Sequence, residues 1–221
     1  VLPVAALVVG IVRPTPPARP EVRVRSRFDA AVVRELLGRP AVAYTTLVAL
    51  ATTFAWQAFA SFFPTFLIEH RGLAVETAGL GFGAVFLLSA IAQPAMGALS
   101  DTIGRDAALA ASLFCAAVGL SVLVATSGGP ATVAGIGLLG VGLSWAGVLQ
   151  ARFMDQFTDA ERASGFGLVR TVYMLLGSTG SVVTGTLAGA AGWPVAFGLV
   201  AGLLLATAAS LAVNRALGLG L

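Results

Sequence analysis

Six stretches of this chain run apolar for about 20 residues or more, the length of helix that a hydrocarbon core about 30 Å thick requires. Punctuated by charged residues, Pro and Gly, they cover approximately 41–68, 75–99, 107–126, 131–153, 164–189 and 194–213. Lipid offers the backbone no hydrogen-bond partner, so a spanning segment must satisfy its own N–H and C=O groups, as a helix does. The pattern therefore predicts an all-α, polytopic fold, a transmembrane six-helix bundle over residues 41–221.

Two segments precede the bundle. Val1 to Val12 is apolar but would be only about 18 Å long as a helix; it reads as the truncated end of an earlier transmembrane helix. It has neither the basic residue before its apolar run nor the small-residue cleavage site after it that mark a signal peptide. Residues 13–40 read as a connecting loop. Arg13 to Pro20 is Pro-rich and predicts an extended linker, whereas Phe28, Val32, Val33, Leu36 and Leu37 recur at helical spacing among Arg27, Arg34, Glu35 and Arg39. That recurrence predicts a short helix over 27–38 lying on the membrane surface.

Composition agrees with burial in lipid: 57% of the residues are hydrophobic and 10% charged, with a mean hydropathy of +0.93. A soluble domain of this size could not hide that much apolar surface. The charges then set orientation, because short Arg-rich loops stay in the cytoplasm. Seven arginines precede the first full span, Arg105 follows the second, Arg152 and Arg162 flank the loop after the fourth and Arg215 follows the sixth, against Arg71 alone on the other side. Both ends of the segment are thus expected in the cytoplasm, in a multi-pass protein of the cytoplasmic (inner) or plasma membrane. The net charge of +3 reflects this topology and attraction to anionic lipid in the bilayer, and nucleic acid is not an expected partner.

Catalytic chemistry is scarce. Cys115 stands alone inside the third span, and His70 stands alone at the outer end of the first beside Glu69 and Arg71. Neither a disulfide nor a metal site can be assembled from them, no cofactor is expected, and no paired aspartates or Ser/His couple lie within a span. An enzyme is therefore not expected. All ten carboxylates fall in loops or at helix ends, which leaves the bilayer midplane without an acidic group. The deepest charge is Arg170, about two turns into the fifth span.

Between the second and third spans stands Gly97-Ala98-Leu99-Ser100-Asp101-Thr102-Ile103-Gly104-Arg105, a G-x-x-x-D-x-x-G-R pattern. Gly97 would let helices approach, Gly104 would permit a tight turn, and Asp101 with Arg105 would lock a cytoplasmic gate through charge-assisted bonds. A plain helix-capping turn would use the same residues. The spacing closely resembles the loop signature of the major facilitator superfamily, which recurs after the second and eighth helices of those transporters. Phe62-Phe63-Pro64-Thr65-Phe66-Leu67 resembles the family's proline-containing helix 7, and Asp155, Glu161-Arg162 and the glycines 165, 167 and 177 resemble its helix 10–11 connection. The resemblance implies the C-terminal half of a twelve-helix fold: the end of helix 6, the central loop, and helices 7 to 12. It also implies a missing N-terminal six-helix bundle as partner. Asp106 departs from the pattern, since a second basic residue is common there, and implies a weaker gate.

Such carriers bind a solute near the midplane between two bundles. Thr53, Gln57, Ser61 and Pro64 fall on one stripe of the first span, and Trp145 holds a similar depth on the fourth. By the resemblance these two helices line the central cavity, which makes Trp56, Gln57, Ser61 and Trp145 the expected cavity residues. Ser89 and Gln93 form a shorter stripe expected to face helix packing or the vestibule. Arg152, Asp155, Glu161, Arg162 and Arg170 are the expected ion-pair partners of the gate. The implied function is transport of a small-molecule solute by alternating access; the competing reading is a non-transporting half-module that assembles with a partner bundle. With no embedded charge, the solute would be neutral or amphipathic, or an ion whose counter-charge lies in the missing half.

Overall fold

In the computed structural model, which describes residues 30–221 apart from Ala160 and Ala163, all regular structure among the described residues is helical. The expected helix end over 1–12 and the linker through residue 29 lie outside the described residues. Helix α1 (Ala30–Leu37) occupies most of the expected surface helix. Its Leu36 is buried against Gly165, where the fifth crossing begins.

Six crossings follow: α2 (Pro40–Glu69), α3 (Val75–Ile103), α4 (Arg105–Ala125), α5 and α6 (Gly129–Gln156), α7 and α8 (Ser164–Ala191), and α9 (Trp193–Leu217). The fourth is interrupted where α5 (Gly129–Gly142) tightens into a 3-10 turn at Leu143–Trp145 before α6 (Ala146–Gln156). The fifth is interrupted at Ser178, between α7 (Ser164–Gly177) and α8 (Thr179–Ala191).

The core is aromatic along α2. Phe59, Phe63 and Phe66 recur at i, i+4 and i+7 and are buried, and they meet Phe82 of α3 and Phe197 of α9 at ring separations of 5.3 Å (Phe59–Phe82) and 4.7 Å (Phe66–Phe197). Elsewhere the bundle closes through glycine, because lipid tails give apolar side chains no reason to prefer one another and close backbone contact must supply the cohesion. A Cβ on Gly180 would lie 2.2 Å from the Phe54 carbonyl oxygen, and one on Gly142 would lie 2.2 Å from the Ala116 nitrogen.

Both interruptions are repaired by hydroxyls. Ser112 of α4 donates to the Gly142 carbonyl (2.7 Å) and Ser89 of α3 to the Leu143 carbonyl (3.1 Å), the groups that the 3-10 turn leaves over. Ser178 and Thr179 bond back to Leu175 and Leu176 at 2.7 and 2.6 Å, a local competition that bends helices. Irregular backbone survives in the hydrocarbon region only with such partners.

At the end away from the arginine-rich loops, Arg71 clamps the end of α4. It donates to the carbonyls of Leu123, Thr126 and Gly128 and to the Thr132 hydroxyl, which satisfies acceptors that a helix C-terminus leaves open. His70, at the outer end of the first crossing, is half-buried and stacks on Phe66 at 5.1 Å.

Candidate functional site: a gate lattice and a membrane cavity

The G-x-x-x-D-x-x-G-R segment is not a loop. Helix α3 continues to Ile103, so Asp101 sits on its last turn, Gly104 alone makes the connection, and Arg105 opens α4. Gly104 adopts φ 90°, a conformation that a side chain makes costly. This one-residue turn places Arg105 against two carboxylates: Asp101 at 2.5 Å and Asp155, at the end of α6, at 3.1 Å. Arg105 also donates to Ser100 at 2.7 Å. One guanidinium thereby ties the second, third and fourth crossings at the arginine-rich end. Gly97 plays no part in close packing here, since a Cβ on it would meet nothing within 4 Å.

The other expected gate partners divide among separate contacts. Arg162 pairs with Asp159 at 2.6 Å within its own loop. Glu161 pairs with Arg39 at 2.7 Å, joining the segment before the first crossing to the loop before the fifth. The hydrogen bond from Arg39, with the Thr158 backbone N–H beside it, holds the Glu161 carboxyl down to about 2. Arg152 turns inward, 4% exposed, and donates from Nε to Asp106 at 2.7 Å.

Asp106, the departure from the family pattern, is therefore a structural anchor. Its second oxygen accepts from Asn214 of α9 at 2.5 Å. Arg152 further donates to Thr45 of α2 and to the Leu221 carbonyl, and its guanidinium lies over the Tyr44 ring, 5.3 Å from the centroid. The Gln156 carboxamide completes the cluster beside Thr45, 2.7 Å from its hydroxyl; in the amide orientation that satisfies both ends, its oxygen accepts from Arg152 at 3.0 Å and its nitrogen donates to the Ala41 carbonyl. This network joins the first, third, fourth and sixth crossings beside the Arg105 lattice. Nothing in the local sequence around Asp106 announces it, because both partners lie on other helices.

Above these polar layers, toward mid-depth, a cavity of about 540 Å³ opens between α2, α3, α6 and α7. Trp56 and Trp145 line it, as do Ser89 and Gln93, which were expected to face packing or the vestibule. Gln57 and Ser61 are not in its wall; Gln57 is half-buried and Ser61 exposed one turn further along α2. Arg170, expected as a gate partner, lines the cavity and forms no ion pair with any described residue. Phe166, Arg170, Tyr173 and Met174 all face it, at i, i+4, i+7 and i+8 of α7. That spacing was the signal that sequence reading passed over. Trp145 owes its place to the 3-10 turn, which the Ser112 and Ser89 hydroxyls hold in register.

The sequence profile of the Major Facilitator Superfamily matches residues 1–149 and, in an overlapping alignment, residues 45–216. This chain belongs to the major facilitator superfamily. Among solved structures it is similar to the POT family transporter PepTSo, with a TM-score of 0.68 at 16% sequence identity over 79% of this chain. The chain spans 37% of the length of that transporter, and identity at this level speaks for the fold alone. No curated protein sequence matches. The facilitator fold and the six apolar crossings make this a multi-pass membrane protein.

Proposed function

We propose that this chain is the C-terminal bundle of a facilitator that moves a small solute across the cytoplasmic membrane by alternating access. In this reading residues 41–221 are the bundle, 13–40 the central loop, and 1–12 the end of the preceding helix. The arginine-rich end faces the cytoplasm, as short basic loops do. The observation that carries the reading is the presence in one bundle of both parts: the Arg105 lattice at the arginine-rich end and a separate cavity walled by Trp56 and Trp145, residues nearer the middle of their crossings. A rocking carrier needs a solute site near mid-depth and a closure whose bonds break and re-form at one end. Salt-bridged arginine suits the closure, since each partner remains solvated when the pair opens: Asp101 and Asp155 are 69% and 59% exposed. The buried Arg152–Asp106 network is instead a fixed joint within the bundle.

The second and fifth crossings are the least buried, with 22% and 28% of their most apolar 18-residue stretches enclosed. Those surfaces are available to lipid and to a partner bundle. Arg105→Ala in the complete protein should lower solute uptake by about tenfold, the scale of losing one charge-assisted hydrogen bond, while membrane insertion and thermal stability hold. Unchanged uptake would remove the gate from the account. Stable insertion of the complete protein with no uptake of any solute would favour the half-module reading.

A further inference from the structure

The cavity between α2, α3, α6 and α7 is charged in one sense only. Among the described residues Arg170 is its sole charged wall residue, and none of their carboxylates lies within salt-bridge distance of it. What Arg170 does contact is soft: its Nε points at the Met174 sulfur at 3.4 Å, and its guanidinium carbon lies 6.0 Å from the Phe166 ring centroid. Neither contact neutralises a cation. An arginine held within a span is costly unless it is paired or solvated, and here Arg170 is an exposed, unpaired lining residue of a partly open cavity, its planar fork of donors free for a ligand.

The remaining wall fits the same reading. The indole N–H groups of Trp56 and Trp145 are donors only, and neither has a hydrogen-bond partner among the described residues. Phe86, Phe166 and Tyr173 add aromatic surface, with Trp56 set edge-on to Phe86 at 5.6 Å. A volume of about 540 Å³ is within the range of sites that enclose small organic molecules.

Resting on the transport reading above, we infer that the solute is an organic monoanion: a carboxylate held by Arg170, with an apolar or aromatic body against Trp56, Phe86 and Trp145. The bound carboxylate supplies the counter-charge that the wall lacks, and two parallel N–H···O bonds fix its direction. A neutral amide of the same shape leaves the guanidinium unpaired. Selectivity between the two therefore belongs to Arg170, while affinity for the body belongs to the aromatic wall.

The test uses the purified complete protein and its intrinsic tryptophan fluorescence, titrated with three isosteric pairs: phenylacetate and phenylacetamide, cyclohexanecarboxylate and its carboxamide, octanoate and octanamide. At least one carboxylate should bind saturably and about tenfold or more tighter than its amide, as loss of a charged hydrogen bond implies. Arg170→Gln should bring that pair to near parity with the amide affinity unchanged, and Arg170→Lys should keep part of the preference. The inference falls if no carboxylate outbinds its amide, or if Arg170→Gln weakens acid and amide alike. A carrier that exposes its cavity to both sides of the membrane yet prefers amides would keep the transport reading and lose this one.

Discussion

At the residue scale, charge in this bundle does two different jobs, and burial separates them. The Arg105 lattice is open to solvent, whereas the Arg152 side chain is 5% exposed and Asp106 18%. Removing one partner of a buried pair strands the other charge in a poorly polarisable interior, at a cost of about 3–5 kcal/mol. Asp106→Asn should therefore destabilise the bundle by that amount in thermal or detergent unfolding. Adding Arg152→Gln should recover part of the loss, because the pair is then replaced as a unit. If the two substitutions simply add, the two side chains do not act on each other. By sequence alone Asp106 is a departure from the family motif that implies a weaker gate. Its partners are 46 and 108 positions away, so no local pattern could have shown the network.

At the element scale, what was legible and what was not follow from the range of the forces involved. Apolar runs set the crossings because lipid acts on each segment separately, and the observed ends differ from the expected ones mainly where capping decides. The second crossing runs to Ile103 beyond an expected end near residue 99, which turns the signature from a loop into two helix ends around Gly104. The breaks at Leu143–Trp145 and Ser178 were not legible, because neighbours impose them: Ser112 and Ser89 on one, the approach of Gly177 and Gly180 to α2 on the other. Glycines are plain in the sequence, but which of them carry close contact was not legible, since only the neighbouring helices decide it. Gly180→Ala puts a methyl against the Phe54 carbonyl, and about 1–3 kcal/mol of destabilisation should follow. Gly189→Ala, with nothing within 4 Å, should leave unfolding unchanged or slightly delayed. Equal effects at the two sites would show that α8 does not pack through this face.

At the scale of the whole molecule, the polar layers sit at one end and the cavity above them, an order that a carrier needs and a passive anchor does not. The Trp56 and Trp145 positions were legible because mid-depth and helix face can be counted along an apolar run. Arg170 was legible as the deepest charge, yet its role was not, since only the assembled cavity shows that no described carboxylate accompanies it. Gln150 lines the same cavity and is exposed to it, so a thiol placed there reports on which side the cavity opens. The most direct measurement is labelling of Gln150→Cys, with the native Cys115 replaced by Ser, in the complete protein by a membrane-impermeant thiol reagent applied to each face of the membrane in turn. Alternating access requires labelling from both faces, with Arg105→Ala shifting the balance toward the arginine-rich face. Labelling from one face only, indifferent to Arg105, would contradict it.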